Sequence, residues 1–267
     1  MSRIHTAFTH RPALMPYLTL GYPDFETSLA CVQAAVEAGA GLIELGVPFS
    51  DPLADGPVIQ HSTQVALENG VTVKKCLAMT AELRRRGVTI PLILMGYYNP
   101  IFSYGLKHFV GDAAAAGADG FIVPDLPLEE AGELEGECRA CGLSFIPMLA
   151  PTSTPERIAE ATKRATGFIY LVSLTGVTGE RQALPDGLRE FVGRVKESAV
   201  THGSPPAPVA VGFGISTPQQ AAEAGTLADG VIIGSAVIRA AGSDYPIRNV
   251  KNFIKEMHEA LTQASLE

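Results

Sequence analysis

Gly41-Leu-Ile-Glu-Leu-Gly-Val-Pro-Phe-Ser-Asp-Pro-Leu-Ala-Asp-Gly-Pro-Val-Ile-Gln60 begins as a short apolar run and turns, after Val47, into a loop rich in Pro, Asp and Gly. A run of this length reads as a strand buried on both faces, the form that parallel strands take under helices. Seven further runs recur along the chain: Pro16 to Leu20, Ile90 to Tyr97, Gly120 to Asp125, Ser144 to Ala150, Gly167 to Ser173, Pro208 to Gly214 and Gly230 to Ile238. Helical patterns separate them, among them Thr27 to Ala38, Glu129 to Cys141, Thr154 to Arg164 and Thr217 to Ala224. Ser153, Thr154 and Ser216 read as N-caps, with Pro155 and Pro218 near the first helical positions. Gly39, Gly117 and Gly225 read as helix ends that exploit the tolerance of glycine for positive φ. Eight strands alternating with helices predict an α/β fold, a single (β/α)8 TIM barrel spanning residues 1–267. A doubly wound sheet is the alternative, but no dinucleotide fingerprint follows the first strand.

In such a barrel the C-terminal ends of the strands carry the chemistry. Glu44 lies inside the apolar run, where a carboxylate costs several kcal/mol to desolvate unless something pairs or uses it. Asp55 follows in the loop, so two acids converge from a strand end and the segment behind it. Unlike environments would let them divide acid and base roles. Two links are longer than their neighbours, Pro48 to Asn69 and Leu174 to Leu184. The second mixes glycines, hydroxyls and charge; it is either a solvated loop or a lid that brings Thr178 to the Asp55 carboxylate.

Val211-Gly-Phe-Gly-Ile-Ser216 and Gly234-Ser235-Ala236 follow the seventh and eighth strands. Glycines there admit backbone N–H groups to an anion, which predicts a phosphorylated substrate; tight strand-to-helix turns are the plainer reading. Tyr97, Tyr170 and Phe213 stand at or near strand ends, as core aromatics or as a surface for a flat ring.

Composition bounds the function. A formal charge of −8 argues against nucleic-acid binding. The Arg84-Arg85-Arg86 run reads as the basic end of a helix, capping its dipole. No apolar run nears the roughly 18 residues that span a bilayer, and the N-terminus lacks the apolar core of a secretion signal, so the chain reads as intracellular. Cys31, Cys76, Cys138 and Cys141 fall in helical patterns, and the six scattered histidines have no ligand spacing, so no metal site is expected.

The segment Leu42 to Pro57 closely resembles the signature of the tryptophan synthase alpha subunit family. The similarity extends in order to Tyr17-Leu-Thr-Leu-Gly-Tyr-Pro23, Tyr97-Tyr-Asn99, Pro124-Asp-Leu-Pro127, Ser173 to Gly179 and the two glycine loops. The resemblance implies reversible retro-aldol cleavage of indole-3-glycerol phosphate to indole and glyceraldehyde 3-phosphate. By similarity Glu44 shuttles the protons and Asp55 faces the indole N–H, Glu44 holding a proton near neutrality and Asp55 remaining ionised. Tyr170 would lie beside Glu44, Phe213, Met95, Ile122 and Met148 would surround the indole, and Gly179, Gly214, Gly234 and Ser235 would bind phosphate. The family implies a cytoplasmic alpha2beta2 heterotetramer with a pyridoxal-phosphate-dependent beta subunit, faced by Asp51, Pro52, Asn99 and Pro100. No cofactor is expected on this chain. A stand-alone lyase and a non-catalytic regulatory barrel remain as alternatives.

Overall fold

The computed structural model describes residues 2–9, 12–172, 187–200, 206–212 and 214–264. Nine strands are assigned: β1 (Ala13–Thr19), β2 (Ile43–Gly46), β3 (Leu92–Met95), β4 (Gly120–Ile122), β5 (Ser144–Phe145), β6 (Met148–Leu149), β7 (Ile169–Val172), β8 (Val209–Gly212) and β9 (Gly230–Ile233). All pairings are parallel, in the order β5-β4-β3-β2-β1-β9-β8-β7-β6. The two ends of that order are the two halves of the fifth predicted strand. Ile146 N–H donates to Phe121 O and Tyr170 N–H donates to Pro147 O, at 2.9 and 3.0 Å, so residues 144–149 bridge β4 to β7 and close an eight-stranded barrel. Pro147 lacks the N–H that would have made this one uninterrupted ladder.

The helices are α1 (Arg3–Ala7), α2 (Phe25–Glu37), α3 (Pro57–Glu68), α4 (Val73–Arg85), α5 (Tyr98–Tyr104), α6 (Leu106–Ala115), α7 (Gly132–Ala140), α8 (Pro155–Arg164), α9 (Leu188–Val200), α10 (Pro218–Gly225), α11 (Ser235–Ala241) and α12 (Pro246–Ala264). A 3-10 turn, Leu128–Glu130, precedes α7. Among the described residues no helix is long and apolar enough to cross a membrane.

Several boundaries depart from expectation. The run Gly230 to Ile238 is strand only to Ile233, because the backbone turns at Gly234 and α11 starts within the same apolar stretch. The link Pro48 to Asn69 is largely helix α3, whose Pro57 sits at the first position. Thr217, not Ser216, caps α10, in a reciprocal capping box with Gln220. Gly39 and Gly117 adopt positive φ as predicted, whereas Gly225 lies inside α10 and does not. Ser153 instead accepts the Ala150 N–H, leaving Thr154 as the cap of α8.

Side chains alternate between two apolar layers. One, between sheet and helices, includes Leu14, Leu18, Ile43, Leu45 and Phe121; the other fills the barrel with Met15, Leu42, Ile93, Ile122, Ile146, Phe168 and Ile232. Ile4 and Phe8 join the inner layer from the N-terminal segment, Phe8 packing on Phe168 with ring centroids 5.7 Å apart. They plug the end of the barrel at which the strands begin.

That end also carries the best-paired carboxylate. Asp119, just before β4, accepts from Arg84 at 2.6 Å, Arg3 at 3.0 Å and the Leu92 N–H at 2.8 Å. Arg84 further donates to the carbonyls of Val88, Ile90 and Gly117, so it ties α4 to the barrel rather than capping its own helix, and Arg85 and Arg86 turn to Glu82. Asp229, four barrel strands on, repeats the motif Ala-Asp-Gly and accepts the Val209 N–H at 2.9 Å.

Candidate active site

Leu42 and Glu44 have the same parity on β2, so the alternation that sends Leu42 into the barrel sends Glu44 in as well, one layer nearer the strands' C-terminal ends. Glu44 is 1% exposed and, among the described residues, its Oε1 has no hydrogen-bond partner. Burial alone pushes its carboxyl up to about 8, so at neutral pH it holds a proton.

Asp55 reaches the same cavity from the loop between β2 and α3. The loop folds on itself through Asp55 N–H to Pro52 O at 3.1 Å and Gln60 Nε2 to Asp55 O at 2.8 Å. The expectation of a more open setting fails, for Asp55 too is buried, and desolvation raises it to about 6. The Tyr97 hydroxyl works against that rise by donating to Asp55 Oδ2 at 3.0 Å, and it accepts the Ala54 N–H at 3.0 Å. The two acids therefore differ in degree: at pH 7 Glu44 is mainly protonated and Asp55 mainly ionised.

The cavity is lined by Tyr17, Glu44, Asp55, Ile59, Met95, Tyr170, Gly212, Gly214, Ile232, Gly234 and Ser235. It thus unites seven residues expected from the sequence, on β2, β3, β7 and the segments after β2, β8 and β9. Ile122 and Met148, register partners of Met95 and Tyr170, belong to the inner apolar layer and do not line it. Thr178, Gly179, Phe213 and the lid segment Leu174 to Leu184 lie outside the described residues. Burial holds the Tyr17 and Tyr170 hydroxyls above the usual tyrosine range, with the neighbouring carboxylates adding to it, so both keep their protons.

Tyr17, Ile59, Gly212 and Ile232 were not singled out in the sequence. Tyr17 had a signal, since it lies one strand repeat from the inward Met15, and Ile232 stood within a predicted strand; Ile59 had none, because its helix was read as loop. Gly212 works by size, for a Cβ there would meet the Tyr170 hydroxyl at 2.6 Å. The expected anion loops have suitable shapes. Gly214 takes φ 72, and Gly234 precedes α11 without a side-chain cap. Asp125, from the Pro124-Asp-Leu-Pro127 motif, accepts the Tyr98 N–H at 2.8 Å and so holds the start of α5 beside Tyr97.

Among the described residues no group of three or more His, Cys, Asp or Glu could hold a metal ion. Of the cysteines, Cys31, Cys76 and Cys138 are buried and Cys141 is exposed.

A parallel barrel with two buried carboxyl groups of unequal acidity at the C-terminal ends of its strands defines a barrel enzyme of the acid–base class. A family model described as tryptophan synthase alpha chain matches residues 5–265, and the chain belongs to that family. The tryptophan synthase alpha chain of Dehalococcoides mccartyi is 48% identical over 98% of this chain and all of its own, and that of Chloroflexus aurantiacus is 51% identical over 89% of each. Among solved structures, Mycobacterium tuberculosis tryptophan synthase superposes with a TM-score of 0.88 at 38% identity over 97% of this chain and 98% of that one. A chain from Aquifex aeolicus superposes with a TM-score of 0.84 at 41% identity, covering 97% and 99%.

Proposed function

We propose that this chain is the alpha subunit of a tryptophan synthase, a lyase that cleaves indole-3-glycerol phosphate into indole and glyceraldehyde 3-phosphate, with Glu44 as proton shuttle and Asp55 as the partner of the indole N–H. The observation that carries the reading is a buried Glu44 with an oxygen unengaged among the described residues, sharing one cavity with Asp55, burial raising the Glu44 carboxyl further than that of Asp55.

The chemistry follows from those states. Cleavage begins when ring carbon C3 accepts a proton, for which a carboxyl that is still protonated at neutral pH is suited. Positive charge then develops toward the ring nitrogen, and the Asp55 carboxylate stabilises it through the N–H. The hydroxyl on the carbon attached to C3 gives its proton to the Glu44 carboxylate, its oxygen becomes the aldehyde carbonyl, and the electrons of the broken carbon–carbon bond return to the ring. One proton enters and one leaves, so the step is redox-neutral and Glu44 ends as it began. Met95, Ile59 and Ile232 offer apolar surface to the ring, and Gly214, Gly234 and Ser235 line the same cavity, suited to the phosphate. No resident cofactor enters these steps.

The partner in this reading is a pyridoxal-phosphate-dependent beta subunit. Asp51 and Asn99 are exposed and Pro52 and Pro100 half-buried, and apolar surface surrounds them, with Leu53 91% and Phe102 63% exposed. Apolar side chains so exposed beside a catalytic loop are what a protein interface uses.

Indole release by the purified chain tests the reading, beside Glu44→Gln and Asp55→Asn, with and without a beta subunit. Activity that either substitution removes by about 10²-fold or more, and that the partner raises, supports both roles. No indole from the wild type with the partner present overturns them.

A further inference from the structure

Tyr17 is placed with more care than an aromatic wall needs. It is the register partner of Glu44 on the neighbouring strand and is only 8% exposed. Its hydroxyl occupies space that exists because residue 46 is glycine: a Cβ there would collide with it. At the other end of the side chain, a Cβ on Gly234 would lie 3.9 Å from the Tyr17 Cβ. The ring thus runs from the glycine expected at the phosphate to the carboxyl pair.

The hydroxyl is backed by two others. Thr19 and Ser62, both fully buried, lie 2.7 Å apart, and Ser62 donates to the Ile59 carbonyl at 2.9 Å. Each hydroxyl has a single hydrogen. If Ser62 gives its own to Ile59, Thr19 gives its own to Ser62, and the 3.4 Å gap between Thr19 and the Tyr17 hydroxyl is too long for a strong bond. If the chain runs the other way, Thr19 donates to Tyr17. In both arrangements the Tyr17 hydrogen is free to point into the cavity, where a buried donor calls for an acceptor. Glu44 Oε1 is not that acceptor, since it receives no hydrogen bond from the described residues.

We propose that the Tyr17 hydroxyl donates to the substrate oxygen that becomes the aldehyde carbonyl. This rests on the retro-aldol reading above and deepens it. That oxygen belongs to the carbon joined to the ring, and it lies between the acids and the phosphate, along the line the Tyr17 side chain spans. As its proton passes to Glu44 the oxygen carries partial negative charge, and a fixed donor stabilises that charge more in the transition state than in the ground state. Thr19 and Ser62 act through Tyr17, as positioning residues.

The test is Tyr17→Phe, which removes the oxygen and keeps the ring. Steady-state indole release should lose about 10-fold in kcat with KM changed by less than about 2-fold. Binding of indole-3-propyl phosphate, the substrate skeleton without hydroxyls, should be unchanged in the variant because it has no oxygen for Tyr17 to hold. Thr19→Val should lower kcat by about 3-fold through loss of aim, and Thr19→Ser should restore it. Wild-type kcat in Tyr17→Phe overturns the inference alone, as does weakened binding of the hydroxyl-free analogue, which would mark a structural role. A wild-type chain that cleaves nothing with its partner present overturns the retro-aldol reading and this inference with it.

Discussion

Glu44 and Asp119 are carboxylates at opposite ends of one barrel, and they are treated in opposite ways. Asp119, where the strands begin, is saturated by two arginines and a backbone N–H, and its partners tie α1, α4, β3 and β4 together. Glu44, toward the ends of the strands, is more deeply buried and has an oxygen with no partner among the described residues. A fold selected only for stability would not leave a buried acid so placed, because an unmet polar group costs about 1–3 kcal/mol. The difference teaches where the molecule spends stability. The N-terminal face locks the barrel with ion pairs and an apolar plug, and the C-terminal face leaves a buried carboxyl oxygen unmet, where the proposed chemistry would use it.

The sharpest way to break the comparison is Glu44→Gln. We expect indole release to fall by about 10³-fold or more, the upper range for a general acid–base group. Stability should move the other way. The folded pKa of about 8 lies above the ordinary 4.5, so between those values the folded state holds a proton that the unfolded chain has lost, and stability falls as pH rises through that window. The amide variant escapes this penalty. Unfolding free energies from urea titration should converge for variant and wild type near pH 4 and separate by a few kcal/mol above pH 8, the variant being the more stable. A variant less stable at every pH would mean that Glu44 has a structural partner.

Asp119→Ala should show the reverse pattern. It leaves the largely buried Arg84 guanidinium without its counter-charge, and we expect a loss of about 3 kcal/mol in the unfolding free energy from urea titration, with kcat of the folded protein within about 2-fold of wild type. A large drop in kcat would show that the two ends are coupled. The pH dependence of kcat/KM separates the acids themselves. It should decline below about 6, where Asp55 takes up a proton, and above about 8, where Glu44 loses one, each limb approaching 10-fold per pH unit. A single limb would leave one of the two carboxyls without a role.

The barrel was legible because its strands are short apolar runs at regular spacing, a pattern that survives without any knowledge of contacts. Boundaries were lost where two elements share one character: Val231 to Ile238 is apolar apart from Gly234 and Ser235, and only the turn at Gly234 separates β9 from α11. Helix α3 was hidden by the Pro-rich loop before it. In the site, Glu44 was legible as a charge out of place, and Asp55 by its proximity in sequence. What Asp55 experiences was not. Its burial depends on Tyr97, which lies 42 residues away, and no local pattern announces that a phenol will cross from the end of β3 to meet it. The Asp119 hub was missed for the same reason, since it gathers Arg3, Arg84 and Leu92 from three separate segments.

Tyr97→Phe tests that long-range contact and carries the smallest effect. The phenol oxygen accepts from Ala54 and donates to Asp55, so it joins the exposed surface around Leu53 to the buried acid across two hydrogen bonds. Its bond to Asp55 lowers a pKa that burial has raised, so removing it leaves the rise unopposed, and the acid limb of kcat/KM should move upward from about 6. At pH 7 this protonates part of Asp55 and loosens its aim, for an expected loss of about 10-fold in kcat/KM that is partly recovered at pH 8. The unmet Ala54 N–H is close to solvent, so the unfolding free energy should fall by about 1 kcal/mol or less. A limb that stays at about 6 would mean that Tyr97 supports the loop without setting the charge of Asp55, and the difference between the two acids would then rest on burial alone.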